Sequence, residues 1–170
     1  MAGYGLPNEQ HLSVVLQNSL EVEGHNIEII NGSVSGSTSA GGLNIAEWTL
    51  SENNIDLMIL CLGANDMLRG INPKETKNNL EEIIKIAKNK NIKVVIAGMI
   101  APNSYGSVYK KSFDKIFSDL SNKYKLKLIP FLLEGVAQKP EFNLSDGMHP
   151  NDQGTIIIGN TLKKAILENL

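Results

Sequence analysis

Apolar residues recur at helical spacing in five segments of the chain. The clearest of these segments begins at Pro73, with one apolar face and a second face of lysine and glutamate. Proline at the first helical position and a polar residue before an apolar stretch are typical helix starts. The predicted helices run from a cap at Asn8 to Gly24, from about Ser39 to Ser51 with Gly41 and Gly42 weakening the start, from Pro73 onward, from Tyr109 to Lys123, and from Gln153 to Leu167, with one or two helical turns over 131–137.

Short apolar runs between these helices predict strands. The run Asp56–Leu62 is continuous, as expected of a strand that is buried on both faces of a parallel sheet. Shorter runs lie at Asn26–Ile30, Ile92–Ile96 and Leu126–Ile129. Strands that alternate with helices indicate an α/β fold with a parallel sheet.

Polar loops marked by glycine follow three of these strands, over residues 32–39, 63–70 and 98–106. In parallel α/β folds, sites form at the carboxyl ends of the strands. We therefore expect functional residues in these three loops.

Length and composition limit the class of protein. A chain of 170 residues with 42% hydrophobic content suits one domain with a sizeable core, predicted over 1–170. A net charge of -2, with no basic cluster longer than Lys110–Lys111, argues against nucleic-acid binding. The apolar runs are too short to cross a bilayer, and residues 1–7 show no export signal. The single cysteine, Cys61, excludes an internal disulfide and is expected to be buried and inert.

The most informative loop lies near the C-terminus, where Asp146 precedes His149 by three residues and Pro150 follows. This spacing allows the carboxylate to hold the imidazole by one nitrogen, which leaves the other free to take a proton from a nucleophile. The pattern predicts a general base with its orienting acid. A helix start with an incidental histidine is the alternative. We expect His11 and His25 to have surface or packing roles.

Two further residues at predicted strand ends are candidate hydrogen-bond donors to an oxyanion. Gly36 follows the first predicted strand, and a glycine there can bring its backbone N–H close to a reacting carbonyl oxygen. Asn65 follows the run that ends at Leu62, and its amide can supply a second donor. An ordinary turn at Gly36 and a cap at Asn65 are the alternatives.

Six ordered blocks of the sequence resemble the SGNH hydrolases, in particular the bacterial branch of arylesterases, acyl-CoA thioesterases and lysophospholipases. The resemblance extends over the whole chain. The blocks are Ala2–Pro7, Ser33–Ser39, Leu62–Gly70, Asn103–Gly106, Pro130–Val136 and Asp146–Pro150.

The resemblance implies a flavodoxin-like three-layer sandwich and a Ser-His-Asp mechanism without metal or cofactor. It implies that Gly36 and Asn65 donate to the oxyanion, that His149 is the base and that Asp146 is its partner. The substrate is then a small acyl ester or thioester. A segment that resembles the family's acyl pocket comprises Asn103, Ser104, Tyr105 and Gly106.

The sequence departs from the family pattern at three places. Ser37 stands where aspartate is common, and Ala64 replaces a glycine; we expect both changes to be tolerated, with an effect on loop geometry. In the family, a strand ending in Gly-Asp-Ser-Leu stands one residue before Ala-Gly-Tyr, and Met1 occupies that single position here.

We therefore expect the nucleophilic serine and a central strand to lie upstream of Met1, through a truncated reading frame or a wrong start codon. That strand belongs between the predicted strands at 26–30 and 56–62. Its absence exposes apolar flanks and predicts marginal stability unless these two strands pair directly. No serine of the chain lies in a strand-to-helix turn suited to a nucleophile, and those nearest the predicted site are Ser33, Ser35, Ser37, Ser39 and Ser145.

The sequence thus predicts an esterase or thioesterase of which residues 1–170 alone have little activity. A catalytically dead domain that binds acyl or carbohydrate ligands is the alternative. A flavin- or nucleotide-binding domain is disfavoured, because no Gly-x-Gly-x-x-Gly or Walker pattern is present. The family resemblance favours export to the periplasm, and the oligomeric state is left open.

Overall fold

The computed structural model describes residues 2–51 and 54–170 of the chain. They form two compact units, one of residues up to Ser35 with Leu133–Glu168 and one of Gly36–Leu132 with Asn169–Leu170. The elements are α1 (Leu12–Val22), α2 (Ser39–Thr49), β1 (Leu57–Leu60), α3 (Ala64–Leu68), α4 (Pro73–Asn89), β2 (Lys93–Ala97), α5 (Ser107–Tyr124), β3 (Lys127–Ile129) and α6 (Asp152–Leu167), with short 3-10 turns at Asn8–Gln10, Asn103–Tyr105 and Pro140–Phe142.

The second unit contains a parallel three-stranded sheet in the order β1-β2-β3. β2 is the central strand, and its residues 94–97 are buried. Helices α4 and α5 contact each other and β2, and they bury the apolar faces that the sequence predicts. Pro73 begins α4, and the Asn72 side chain accepts the Lys74 N–H as its cap. The predicted α/β class with a parallel sheet is confirmed.

β1 is an edge strand of this sheet. Its residues Leu57, Met58 and Ile59 are half-buried, and only Leu60 is buried. Among the described residues no strand pairs with the edge of β1 that faces away from β2. A continuous apolar strand at an open edge agrees with the expectation that a further strand belongs beside it.

The first unit is organised by contact between α1 and α6. Leu16 and Leu20 of α1 and Ile158 of α6 are almost completely buried, and each such side chain contributes roughly 1.5–3 kcal/mol to stability. Lys163 of α6 donates to the Ser19 hydroxyl at 2.8 Å. The apolar spacing that predicted both helices therefore identifies the core of this unit.

The predicted strand at Asn26–Ile30 is wrong, because no strand of the described residues pairs with it. Its side chains still alternate, with Ile27 and Ile29 half-buried and Glu28 exposed between them. The Gln17 carboxamide takes the place of a neighbouring strand: it donates to the Ile27 carbonyl at 2.9 Å and accepts the Ile29 N–H at 2.7 Å. The side chains of the segment alternate as in a strand, but among the described residues the segment has no partner strand.

Two further segments differ in how well they were predicted. The loop expected over 63–70 contains the short helix α3. Gly63 is the N-cap of this helix and has a φ of 112°. The helical turns expected over 131–137 are confirmed by hydrogen bonds from the Val136 and Ala137 N–H groups to the Leu133 carbonyl.

In the part of the chain that the structure describes, no helix combines the length and apolarity that crossing a membrane requires.

Replacing Gln17 by alanine removes both side-chain hydrogen bonds to the 26–30 segment. Because two backbone groups then lose their partner, we expect the free energy of unfolding to fall by about 1–3 kcal/mol. Urea denaturation followed by circular dichroism measures this change. Asn18→Ala is the matched control, since Asn18 is exposed on the same helix and should change stability little. Equal stability of the two variants would contradict the role given to Gln17.

Candidate active site

The Asp146–His149 loop brings its carboxylate and imidazole into direct contact. Asp146 Oδ2 lies 2.7 Å from His149 Nδ1, and Asp146 Oδ1 accepts the N–H groups of Met148 at 2.8 Å and His149 at 3.0 Å. Gly147 permits the turn with a φ of 68°. The loop is closed by the Leu144 N–H, which donates to the His149 carbonyl at 2.7 Å.

These hydrogen bonds determine the charge of Asp146 and the tautomer of His149. The backbone N–H of His149, its ring and the backbone N–H of Met148 lower the pKa of the Asp146 carboxyl from 3.8 to about 2. An ionised carboxylate can only accept, so Nδ1 of His149 carries the proton that faces it. In the neutral ring Nε2 is then the unprotonated nitrogen, as a general base requires.

Tyr4 lies against the imidazole and was not predicted from the sequence. Its ring centroid is 4.4 Å from that of His149, and the ring planes differ by 33°. His11 holds the turn that carries Tyr4, because its Nε2 lies 3.1 Å from the Leu6 carbonyl and a Cβ on Gly3 would overlap its ring. His11 thus has a packing role, as expected.

Gly36 and Asn65 both lie in the second unit, and Ser37 connects them. Gly36 has a φ of 73°, a conformation that favours glycine. The Asn65 amide Nδ2 donates to the Ser37 carbonyl at 3.0 Å. That contact uses one of the two amide hydrogens and fixes the side chain, so the second hydrogen remains for a ligand.

The buried residue next to Asn65 anchors the following helix. Asp66 is 0% exposed and accepts the Ser39 N–H at 2.7 Å and the Thr76 hydroxyl at 3.2 Å. It also accepts a short hydrogen bond from the Ser39 hydroxyl, which in turn receives the Asn79 amide at 3.0 Å. The carboxylate therefore connects the start of α2 to α3 and α4. Sequence reasoning missed Asp66, although a carboxylate directly after a candidate donor was its signal.

The predicted acyl-pocket segment lies in the second unit as well. Asn103 and Ser104 are exposed, and Gly106 has a φ of 83°. The Tyr105 ring stacks on Tyr109 with centroids 5.5 Å apart. The Tyr109 hydroxyl donates to the Ile71 carbonyl at 3.0 Å. The segment is thereby packed on the ring of Tyr109. Its role in substrate binding stays a prediction.

No resident serine has the hydrogen bond expected of a nucleophile. Among the described residues of the first unit, no hydroxyl is hydrogen-bonded to Nε2 of His149. Ser39 is buried and committed to Asp66, and Ser145 is exposed beside the carboxylate. The expectation that the nucleophile is not one of these serines stays a prediction.

Comparison with known proteins identifies relatives over almost the entire chain. Residues 1–155 match the model of the GDSL-like Lipase/Acylhydrolase family. An arylesterase of Vibrio mimicus is 34% identical over 169 residues, which are 99% of this chain and 84% of that protein. Esterase TesA of Pseudomonas aeruginosa is 36% identical over 149 residues, which are 88% of this chain and 74% of that protein.

A solved structure agrees with these sequence relatives. The crystal structure of TesA superimposes with a TM-score of 0.93 at 32% identity, covering 99% of this chain and 94% of that one. The similarity therefore includes the fold as well as the motifs.

Replacing Asp66 by asparagine keeps the size of the side chain but presents an amide NH₂ to groups that are themselves donors. Because the amide keeps only one acceptor oxygen, either the Ser39 N–H or the Ser39 and Thr76 hydroxyls lose their acceptor, and we expect a loss of about 3 kcal/mol in the free energy of unfolding. Urea denaturation measures the loss, with Asp56→Asn as the control at an exposed aspartate. An Asp66→Asn chain as stable as the control would contradict the anchoring role.

The carboxyl of Asp146 should titrate near pH 2, as followed by its ¹³C NMR shift. Since the folded pKa lies below the ordinary 3.8, ionised Asp146 stabilises the loop fully above that pH and loses this effect as the pH falls toward 2. His149→Ala removes the ring contact but keeps the backbone N–H, so the midpoint should rise only part of the way. A midpoint near 3.8 in the unaltered chain would be inconsistent with the loop geometry.

Proposed function

The chain belongs to the GDSL-like lipase/acylhydrolase family, and from that membership we propose that it hydrolyses carboxylic ester or thioester bonds by a Ser-His-Asp mechanism. The observation that carries the proposal is the contact between Asp146 and His149, in which Nδ1–H donates to the carboxylate and Nε2 is left as the base. The names of the relatives, an arylesterase and an esterase, support the reaction class.

In the proposed reaction a serine hydroxyl attacks the acyl carbonyl and Nε2 of His149 takes its proton. Ionised Asp146 stabilises the resulting imidazolium. The backbone N–H of Gly36 and the second amide hydrogen of Asn65 donate to the oxyanion. His149 then protonates the departing alcohol or thiol. Water attacks the acyl-enzyme in the same manner, which releases the carboxylic acid and restores the serine.

We assign the nucleophile to a strand that pairs along the open edge of β1. Two observations support this assignment: the half-buried apolar side chains of β1 at an edge that is unpaired among the described residues, and a His149 Nε2 that has no hydrogen bond to a hydroxyl described in the first unit. The family resemblance implies that such a strand ends in Gly-Asp-Ser-Leu. Without it, residues 1–170 are proposed to have little esterase activity.

A second candidate is a domain that binds acyl or carbohydrate ligands without catalysis. It is favoured by the lack of a hydrogen bond from a hydroxyl to Nε2 among the described residues of the first unit, because a binding domain does not need a nucleophile. Binding of a fatty acid or acyl ester without turnover, in a protein that includes the additional strand, would support it. Location in the periplasm stays a prediction from the resemblance.

Hydrolysis of short-chain p-nitrophenyl esters by the protein that carries the nucleophilic serine tests the assignment. His149→Ala should lower kcat by about 10³-fold or more, and Asn65→Ala by about 10²–10³-fold, because each removes transition-state stabilisation. His25→Ala is the control and should retain full activity.

Turnover that survives His149→Ala would refute the proposed base. Turnover by residues 1–170 that is lost on changing Ser145 or another resident serine would place the nucleophile within this chain.

A further inference from the structure

Arg69 is the only arginine of the chain, and all other basic residues are lysines. It directly follows α3 as its C-cap, one helical turn after Asn65. Residues four apart on a helix project from the same side. Arg69 therefore belongs to the same side of this turn as the proposed oxyanion donor.

The guanidinium of Arg69 contacts the backbone of the other proposed donor. Its Nη2 donates to the Gly36 carbonyl at 2.9 Å. Within the described part of the chain, Arg69 forms no ion pair with a carboxylate. Its one hydrogen bond is thus made to a neutral backbone group, and its charge is not offset by an acid.

Gly36 needs such a restraint because little else holds it. The residue is exposed, its φ of 73° is one of several conformations open to glycine, and a Cβ there would have no neighbour nearer than 3.8 Å. The carbonyl that Arg69 holds sets the ψ of Gly36. Asn65 holds the next carbonyl, that of Ser37. Two consecutive carbonyls are therefore bound by side chains that lie one turn apart.

We propose that Arg69 is a positioning residue for ester hydrolysis: by binding the Gly36 carbonyl it anchors the peptide that follows Gly36 and so holds this residue, with its N–H, in place for the oxyanion. The inference rests on the proposed function, since it matters only if Gly36 is an oxyanion donor. A planar guanidinium on a defined carbonyl gives a directional restraint that a flexible lysine ammonium gives less well. This accounts for arginine at this position in a chain that otherwise uses lysine.

Ester hydrolysis by the serine-bearing protein provides the first test. Arg69→Ala should lower kcat about tenfold with KM within about twofold, less than the loss on removing an oxyanion donor itself. Arg69→Lys should restore part of kcat. Lys111→Ala, which removes an exposed positive charge from α5, is the control and should change neither constant.

Two outcomes of the same kinetic experiment would contradict the positioning role of Arg69. A rise in KM with unchanged kcat would assign Arg69 to binding of the substrate ground state and overturn the inference. Unchanged kinetics would overturn it as well. If the unaltered protein has no esterase activity, the proposed function fails first, and the inference fails with it.

A measurement without catalysis tests the restraint separately. In ¹⁵N NMR spectra of residues 1–170, Arg69→Ala should shift and broaden the Gly36 amide signal, because the turn loses its restraint. The signal of Gly159, in the first unit, should not change. A Gly36 signal that is identical in both chains would overturn the inference even if the esterase assignment holds.

Discussion

Among the described residues, a buried carboxylate without a cation partner fixes the start of the helix that follows the proposed oxyanion loop. Placing the Asp66 side chain in the interior is costly unless several donors surround it, and here Ser39 supplies two and Thr76 one. Because these donors come from the starts of α2 and α4, the carboxylate fixes where α2 begins. The segment 36–38 precedes that point directly. The start of α2, three residues after Gly36, thus depends on a residue that is itself completely buried.

The proposed acid–base pair is positioned in a different way. Asp146 and His149 lie in one short exposed loop, and every hydrogen bond that orients them comes from that loop or its immediate flanks. Such a motif is specified locally, by the spacing of an acceptor, a glycine and a histidine. The oxyanion segment instead needs residues distant in sequence, since Ser39 and Asp66 are separated by 27 positions.

This contrast explains what the sequence could predict. The amphipathic helices follow from the spacing of apolar residues, and Pro73 marks the start of α4. The contact of Asp146 with His149 follows from their spacing. The 26–30 segment was predicted as a strand because its alternation is real, but alternation cannot show whether a partner strand exists. The roles of Asp66 and Arg69 depend on contacts between distant segments, so periodicity could not reveal them.

The open edge of β1 connects the fold to the proposed ester hydrolysis, because it is where the strand with the proposed nucleophile would pair. The most direct measurement is a crystal structure of the serine-bearing protein after reaction with a phosphonate ester, whose tetrahedral phosphorus mimics the oxyanion intermediate. We expect a covalent bond to a serine on a strand beside β1, with a phosphonyl oxygen about 2.7–3.1 Å from the Gly36 nitrogen and the Asn65 amide. Labelling of a different serine, or a phosphonyl oxygen held by other donors, would contradict it.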